Sequence, residues 1–488
     1  MSKDAVNTAA VASPADVART PADAGDAGYS KDLKPRHVNM IAIGGAIGTG
    51  LFLGAGGRLH NAGPALALAY LVCGVFAFFV VRALGELVLY RPSSGSFVSY
   101  AREFLGEKGA YVAGWMYFLN WSTTGIADIT AIALYTHYWS FFTSIPQWVL
   151  ALIALAVVLA VNLISVKIFG EMEFWFAIIK VATLVSFMLV GIFLLATQHK
   201  VGGQTPGLSV INDHGGFFPH GMMPVVLVMQ GVIFAYAALE LVGVAAGETA
   251  EPEKIVPRAV NSIMWRVGLF YVGSVVLLTL LLPSSVYSGD QSPFVTVLSK
   301  IDIQGAGDVM NLVVLTAAMS SLNSGLYSTG RILRSMAMAG SAPRFTARMN
   351  RSQVPYGGIM LTCAVCVLGV GLNYLVPSQA FEIVLNVASL GIISTWVIIM
   401  ICHLIFVRRA KEGLLTRPSF KLWGSPVTEI VTVAFLIAVL GLMWDDAEVG
   451  RKTLLLIPVV AVLLVGGWFA LRRRRDTIAD QELTDLSK

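Results

Sequence analysis

The chain has 488 residues, of which 56% are hydrophobic and only 13% are charged, with a formal net charge of +5 and a mean hydropathy of +0.73. Soluble domains carry about 25% charged residues, so this composition excludes a soluble multidomain protein of the same length. It indicates an all-α, polytopic membrane protein.

The apolar stretches predict about twelve membrane-spanning segments, because a spanning helix needs about 20 mostly apolar residues. Before them, residues 1–32 are rich in Ala and Asp and predict a disordered N-terminal tail. A transporter domain over residues 33–471 and a C-terminal tail over residues 472–488 follow. The predicted segments 1 to 12 are 38–58, 64–90, 109–140, 146–166, 172–197, 222–247, 258–283, 306–339, 356–376, 381–407, 425–445 and 453–471.

Basic residues cluster in the connections on one side of these segments. That side holds the residues before segment 1, the connections 2–3, 8–9 and 10–11, and the arginine run at 472–475. The opposite side receives only Arg58, Lys200, Lys300, Arg451 and Lys452. The positive-inside rule therefore predicts a multi-pass protein of the cell membrane with both termini in the cytoplasm.

Segment 1 contains four glycines within residues 44–50, where a spanning helix should be continuous. Each glycine weakens a helix interior by roughly 0.5–1 kcal/mol relative to alanine. Irregular backbone at membrane depth is tolerated only where protein or a cavity surrounds it. A broken helix that forms part of a binding site is therefore predicted here, with close packing between small residues as the alternative.

Segment 6 has a similar weak point at residues 234–240, FAYAALE, where small residues and a carboxylate lie at membrane depth. Interrupted first helices in two five-helix halves are typical of an inverted-repeat transporter. The positions predict repeat one over 38–197, repeat two over 222–407, and two extra helices over 425–471. Small-residue helix packing is again the alternative.

On the cytoplasmic side, Glu86 follows Arg82 by one helical turn, and this spacing predicts a structural ion pair between them. Residues 92–108 begin with turn signals and continue at helical spacing, which predicts a short amphipathic helix at the membrane surface. Residues 247–254 form an acidic connector after segment 6. Ordinary solvated loops are the alternative for both of these connections.

The motifs carry a specific resemblance over residues 33 to 470. The run GGAIGTGLF at 44–52 is similar to the first-helix signature of the amino acid–polyamine–organocation (APC) superfamily. The run at 234–240, followed by AAGET at 245–249, resembles that of its amino acid transporter family. The runs GWMYFLNW at 114–121 and TGIADIT at 124–130 resemble those of bacterial L-asparagine permeases. The resemblance implies a LeuT-like fold and amino acid transport.

An amino acid zwitterion needs donors for its carboxylate and acceptors for its ammonium. The start of a half-helix offers N–H groups and a favourable dipole, here around Thr49 and Gly50. Freed carbonyl groups at the end of a half-helix suit the ammonium. Glycine also lets a ligand approach the backbone closely. The predicted substrate-binding residues match the backbone contacts of the family that the chain resembles. They are Gly45, Ala46, Gly48, Thr49, Gly50, Phe234, Ala235 and Ala237.

Ionisable groups inside a membrane are expensive and mark ion pathways. Lys180 lies in the apolar run of segment 5, and Glu240 lies in segment 6. Both are candidates for proton coupling, and related proton-coupled proteins are thought to use a lysine at the matching position in place of sodium. The alternative for Lys180 is a side chain that reaches the cytoplasmic edge of the membrane.

Polar residues within the spans are candidates for reading the side chain of the substrate. These are Asn120 and Asp128 in segment 3, Tyr236 in segment 6 and Asn323 in segment 8. The alternative for each is a hydrogen bond that holds helices together, or aromatic packing in the case of Tyr236.

Together these features predict proton-coupled import of L-asparagine by alternating access. A permease for another neutral amino acid or for γ-aminobutyrate is the nearest alternative, and a channel or an amino acid receptor is a different class. The expected partners are the amino acid, protons and the lipid bilayer, with no nucleic acid. No cofactor, metal or enzymatic activity is expected, since the spans lack metal-binding and hydrolase motifs.

Overall fold

A computed structural model of the chain describes residues 36, 40, 47–93, 95–246, 252–301, 303–376, 380–446 and 450–478. The predicted N-terminal tail, Gly45, Ala46 and most of the acidic connector at 247–254 lie outside these residues.

The described chain is helical, with a single isolated β-bridge between Val201 and Gln204. The first part contains α1 (Thr49–Phe52), α2 (Gly54–Ala62), α3 (Leu66–Tyr90), α4 (Ser96–His137), α5 (Gln147–Asn162), α6 (Val166–Thr197), α7 (Leu208–Asn212), α8 (Met222–Leu227) and α9 (Met229–Ala235). The second part contains α10 (Leu241–Ala246), α11 (Pro252–Arg266), α12 (Ser274–Leu281), α13 (Pro293–Leu298), α14 (Ala306–Met338), α15 (Tyr356–Leu375), α16 (Ala380–Lys411), α17 (Val427–Leu442), α18 (Gly450–Leu454) and α19 (Ile457–Ala470).

Eight helical stretches among the described residues are long and apolar enough to cross a membrane. They are Thr49–Tyr90, Val166–Thr197, Pro252–Leu281, Ala306–Met338, Tyr356–Leu375, Ala380–Lys411, Val427–Asp445 and Gly450–Ala470. Two shorter apolar helices cover Gln147–Asn162 and Met222–Ala235. The chain is therefore an all-α, multi-pass membrane protein.

The long helix α4 lies at the centre of the packing, in contact with both α16 and α14. Gly391 lets α16 approach α4 closely, because a Cβ atom at this position would lie 2.7 Å from the Cβ atom of Asn120. Only 6% of the most apolar 18 residues in the α18–α19 stretch are buried, so this stretch lies at the periphery of the protein. Apolar side chains on this outer surface suit contact with lipid.

The amphipathic helix predicted for residues 92–108 forms the first part of α4, which Gly106 interrupts with a φ of 76°. Phe97, Val98 and Tyr100 of this part are buried inside the protein. The predicted helix is therefore present, in place of a solvated loop, and its apolar side chains pack against the rest of the protein.

The described part of the predicted C-terminal tail, residues 472–478, continues as helix after α19. The guanidinium of Arg474 donates hydrogen bonds to the carbonyl group of Ala337, in the last turn of α14, and to that of Ala342, just beyond its end. This contact attaches the C-terminal segment to the same end of the molecule as the end of α14.

Candidate functional site

The two weak points in the sequence meet in the structure. Gly48 is extended (φ −132°, ψ −160°), and α1 begins at the next residue, Thr49. In segment 6, α9 ends at Ala235 and α10 begins at Leu241. The residues between them turn, and Ala238 has a φ of 74°. The segment 6 helix is therefore interrupted where the sequence predicts it.

Gly50 allows these two elements to touch. A Cβ atom at Gly50 would lie 2.6 Å from the Cα atom of Ala235, a distance that real side chains do not tolerate. Gly48 faces Ser321 of α14, where an added Cβ atom would lie 3.6 Å from the serine Oγ atom. The glycines thus bring the start of α1 against the end of α9 and against α14.

The helix ends present main-chain groups at this contact. The first N–H groups of a helix have no acceptor within it, and in α1 these belong to Thr49 and Gly50. At the end of α9, the Phe234 carbonyl accepts the Ala237 N–H at 2.9 Å, and the Ala235 carbonyl accepts the Tyr271 hydroxyl at 3.2 Å. Each of these carbonyls keeps a second lone pair. Donors and acceptors for a zwitterion therefore lie close together.

A small cavity lies between these groups. The space that the centre of a water-sized molecule can occupy is about 20 Å³, enough for one or two waters and too small for an amino acid. Its lining combines the helix ends with α4 and α14. The lining residues are Gly48, Thr49, Gly50, Trp121, Thr124, Phe234, Ala235, Ala237, Ala238 and Ser321. The sequence reasoning did not select Trp121, Thr124 or Ala238.

Asp128 of α4 lies beside the cavity. Its side chain is fully buried, and its Oδ1 atom accepts a hydrogen bond from the Thr49 hydroxyl at 2.8 Å. This bond fixes the start of α1 to α4.

Lys180 is buried, with 1% of its surface exposed. Its Nζ atom donates to the Oγ atom of Ser320 on α14 at 3.0 Å. The side chain therefore points into the protein and does not reach the edge of the membrane. The Ser320 hydroxyl in turn donates to Glu173 Oε2 at 2.7 Å, and Asn323 Nδ2 donates to Glu173 Oε1 at 2.9 Å.

Glu240 is the last residue of the interruption between α9 and α10 and has no exposed surface. Within the described ranges, neither oxygen of its carboxyl group has a hydrogen-bond partner of good geometry. The indole of Trp396 on α16 is a neighbouring donor. A buried carboxyl group with no satisfied partner is costly, and such groups mark functional positions inside membranes.

Comparisons with known proteins show the family to which the chain belongs. The family model described as amino acid permease matches residues 37–480. This chain belongs to the amino acid permease family. It is 85% identical to the L-asparagine permease of Streptomyces coelicolor over 483 residues, which cover 99% of each chain. It is 60% identical to that of Escherichia coli over 452 residues, 93% of this chain and 91% of the relative. It is 58% identical to L-asparagine permease 1 of Mycobacterium tuberculosis H37Rv over 94% of each chain.

Four residues of this permease are candidates for reading the side chain of the substrate. Three of them already form side-chain hydrogen bonds within the protein. Asp128 accepts from Thr49, the Tyr236 hydroxyl donates to the Tyr70 carbonyl at 2.7 Å, and Asn323 binds Glu173 and Asn162. In Asn120, the buried Nδ2 atom has no hydrogen-bond partner among the described residues. The structure therefore brings Asp128 beside the cavity through Thr49, packs Asn120 against Gly391 and turns Tyr236 towards α3.

Arg58 has a structural role that the sequence interpretation did not predict, since it counted Arg58 only among the few basic residues on the side opposite the cytoplasm. It is only 6% exposed and donates from Nη1 to the Gly50 carbonyl at 2.9 Å. Its guanidinium lies against Gly54 and Gly231, where any added Cβ atom would come within 2.5 Å of it. Arg58 is part of the packing around the start of α1.

The ion pair predicted between Arg82 and Glu86 does not form. Glu86 is fully buried and accepts hydrogen bonds from Arg417 Nε at 2.6 Å, from His403 Nε2 at 3.0 Å and from the Leu422 N–H at 2.7 Å. Arg82 instead donates to the Lys421 carbonyl at 2.8 Å. The loop between α16 and α17 supplies partners that lie more than 300 residues away from Arg82 and Glu86 in the sequence. Local spacing therefore predicted the wrong pair.

Proposed function

We propose that this permease imports L-asparagine across the cell membrane together with protons. The observation that supports the substrate is the similarity to several permeases named for L-asparagine, one of them 85% identical over almost its whole length. Family membership supports a transporter over an enzyme, a receptor or a channel. The helix ends around Thr49 and Ala235 supply the groups that an amino acid backbone requires.

In the proposed bound state, the substrate carboxylate accepts hydrogen bonds from the N–H groups of Thr49 and Gly50, where the helix dipole favours an anion. The ammonium donates to the carbonyl groups of Phe234, Ala235 and Ala237, with those of Gly45 and Ala46 completing the set. The absence of a side chain at Gly48 leaves room for the ligand to approach the backbone.

The cavity must widen before asparagine enters, since about 20 Å³ does not accommodate it. We attribute this change to alternating access between two five-helix inverted repeats, within a total of about twelve spans. The bundle of segments 1, 2, 6 and 7 would rock against segments 3, 4, 8 and 9. Both termini would remain in the cytoplasm, as the basic residues predict.

Proton coupling would use Lys180 and Glu240, the two ionisable groups selected from the sequence. Lys180 is linked through Ser320 to a second carboxyl group. Glu240 is buried without a satisfied partner among the described residues. Protonation of Glu240 therefore breaks no hydrogen bond among the described residues.

Uptake of labelled L-asparagine into proteoliposomes tests this function. We expect saturable uptake that rises above equilibrium when the outside is more acidic than the lumen. If labelled L-asparagine only equilibrates across the membrane, whether or not a proton gradient is present, the proposed coupling to protons is wrong. An ohmic current without saturation would indicate a channel, and binding without flux would indicate a receptor.

A competition panel tests the substrate. Excess unlabelled L-asparagine should displace the label more effectively than other neutral amino acids or γ-aminobutyrate. If one of these competitors displaces the label at lower concentration than asparagine, the substrate assignment is wrong.

A further inference from the structure

Glu173 is a buried carboxylate that the sequence reasoning did not select. It is 1% exposed and lies on α6 seven residues before Lys180, about 10 Å along the helix axis. Seven residues correspond to almost two helical turns, so both side chains lie on the same face of α6. That face packs against α14.

A continuous chain of hydrogen bonds joins the two charged groups. Lys180 Nζ donates to Ser320 Oγ at 3.0 Å, and Ser320 Oγ donates to Glu173 Oε2 at 2.7 Å. The serine hydroxyl accepts from the lysine and donates to the carboxylate. This is the arrangement in which a hydroxyl group can receive one proton while it gives up its own.

The second oxygen of Glu173 is held in place. Asn323 Nδ2 donates to Oε1 at 2.9 Å, and Asn162 Nδ2 donates to the Asn323 side-chain oxygen at 2.9 Å. These amides fix the carboxylate plane and leave Oε2 directed at Ser320. Amide side chains do not titrate in this pH range, so they position the carboxylate and do not compete for the proton.

The charges in this region do not balance. Asp128, Glu173 and Lys180 are all buried, and Asp128 is close enough to Lys180 to attract it electrostatically. With all three groups ionised, the set carries a net charge of −1 away from water, which is costly. One added proton makes it neutral. Movement of a proton from Lys180 to Glu173 leaves the net charge of this set at −1, so the transfer itself adds no uncompensated charge away from water.

We propose that Glu173 is the inner proton acceptor of the transport cycle, receiving the proton of Lys180 through Ser320. This inference rests on the proposed proton-coupled function. The Lys180 ammonium gives a proton to Ser320 Oγ as the serine gives its own to Glu173 Oε2. Lys180 becomes a neutral amine, Glu173 becomes a carboxylic acid, and the total charge is unchanged.

The position of Glu173 gives the transfer a direction. Glu173 lies nearer than Lys180 to the start of α6, which faces the cytoplasm in the orientation predicted from the basic residues. Because the side chain is only 1% exposed here, release to the cytoplasm requires the inner side of the protein to open. The proton then leaves on the side where the substrate leaves.

The test compares Glu173→Gln with wild-type protein in proteoliposomes. Glutamine resembles the protonated carboxyl group, so we expect exchange of labelled for unlabelled L-asparagine to continue. Proton-driven accumulation should fall about tenfold or more, and a pH-sensitive dye in the lumen should report the same loss of proton entry. Glu171→Gln is the matched control, because Glu171 is on the same helix but pairs with Arg36.

Ser320→Ala provides a second measurement. It removes the bridge and leaves both charged groups in place, so we expect the same loss of accumulation with exchange retained. Ser320→Thr keeps the hydroxyl group and should retain accumulation. If both Glu173→Gln and Ser320→Ala lose exchange together with accumulation, these residues have a structural role and the proposal is overturned.

The wild-type protein separates failure of this proposal from failure of the proposed function. If wild-type protein transports asparagine without proton entry, the coupled function is wrong. The proposed proton transfer from Lys180 to Glu173 is then wrong as well. If wild-type protein shows proton entry and Glu173→Gln carries the same number of protons per asparagine, only the proposed proton transfer to Glu173 is wrong.

Discussion

At the scale of single residues, the site depends on residues that cannot be replaced without loss of a contact. Gly50 has a neighbouring backbone where a side chain would begin, and Thr49 uses its hydroxyl to hold Asp128. The main-chain N–H groups of these same residues are those proposed to bind the substrate carboxylate. Packing and recognition thus act through the same short stretch of chain.

Replacing Gly50 with alanine should disable the permease. The new Cβ atom would lie 2.6 Å from the Cα atom of Ala235, and overpacking of this kind costs about 1–3 kcal/mol. We expect loss of asparagine uptake and a lower midpoint of thermal unfolding in detergent. Gly371→Ala is the control, because Gly371 of α15 has open space around it. Normal uptake by Gly50→Ala would mean that the contact between α1 and α9 is not required.

Replacing Thr49 with valine removes the hydrogen bond to Asp128 and preserves the side-chain shape. A buried acceptor left without its donor costs about 1–3 kcal/mol, so both stability and uptake should decrease. Thr49→Ser keeps the hydroxyl group and should behave like wild-type protein. Thermal unfolding and the KM for asparagine measure the two effects. Equal behaviour of the valine and serine variants would contradict a role for the hydroxyl group.

At the scale of elements, the loop between α16 and α17 is fastened to the end of α3. Glu86 binds Arg417 and Leu422 of this loop, and Arg82 lies 4.1 Å from the ring centre of Phe420. His403 joins Glu86 to Glu429 of α17, with its Nδ1 atom 2.9 Å from Glu429 Oε1. Three helices are therefore connected through one buried histidine.

Replacing Glu86 with alanine should destabilise this end of the molecule. Removing one partner from a buried ionic cluster costs about 3–5 kcal/mol, because the other charges stay buried without compensation. The measurement is the free energy of unfolding in detergent. Glu412→Ala is the control, since its pair with Arg408 is exposed and should contribute below about 1 kcal/mol. Similar losses in the two variants would show that burial of the cluster does not matter.

The elements also show what could be predicted from sequence. Glycines and small residues predicted the positions of Gly48–Gly50 and of the segment 6 interruption, since backbone weakness is a local property. The partner of Lys180 was missed because Ser320 lies 140 residues away and meets it only through the packing of α6 on α14. The buried packing of Arg58 was missed for a similar reason, because its guanidinium lies against Gly231, which is far away along the chain.

At the scale of the whole molecule, orientation in the membrane is open to a direct chemical test. All four cysteines are buried, so a membrane-impermeant maleimide should not label the native permease in intact cells. A cysteine introduced at Lys200, an exposed residue after α6, should be labelled from outside. A cysteine introduced at Glu412, exposed after α16, should be labelled only after the cells are permeabilised. The reverse pattern would overturn the predicted orientation.

The small cavity between Thr49 and Ala235 has a consequence for the energy balance of the cell. A space of about 20 Å³ cannot hold a file of water molecules, and such files conduct protons freely across membranes. Protons therefore cannot pass along a file of water through this space while the protein stays in this arrangement. Copies that wait without substrate would then add no proton leak through this space, and the membrane would keep the gradient that drives other uptake.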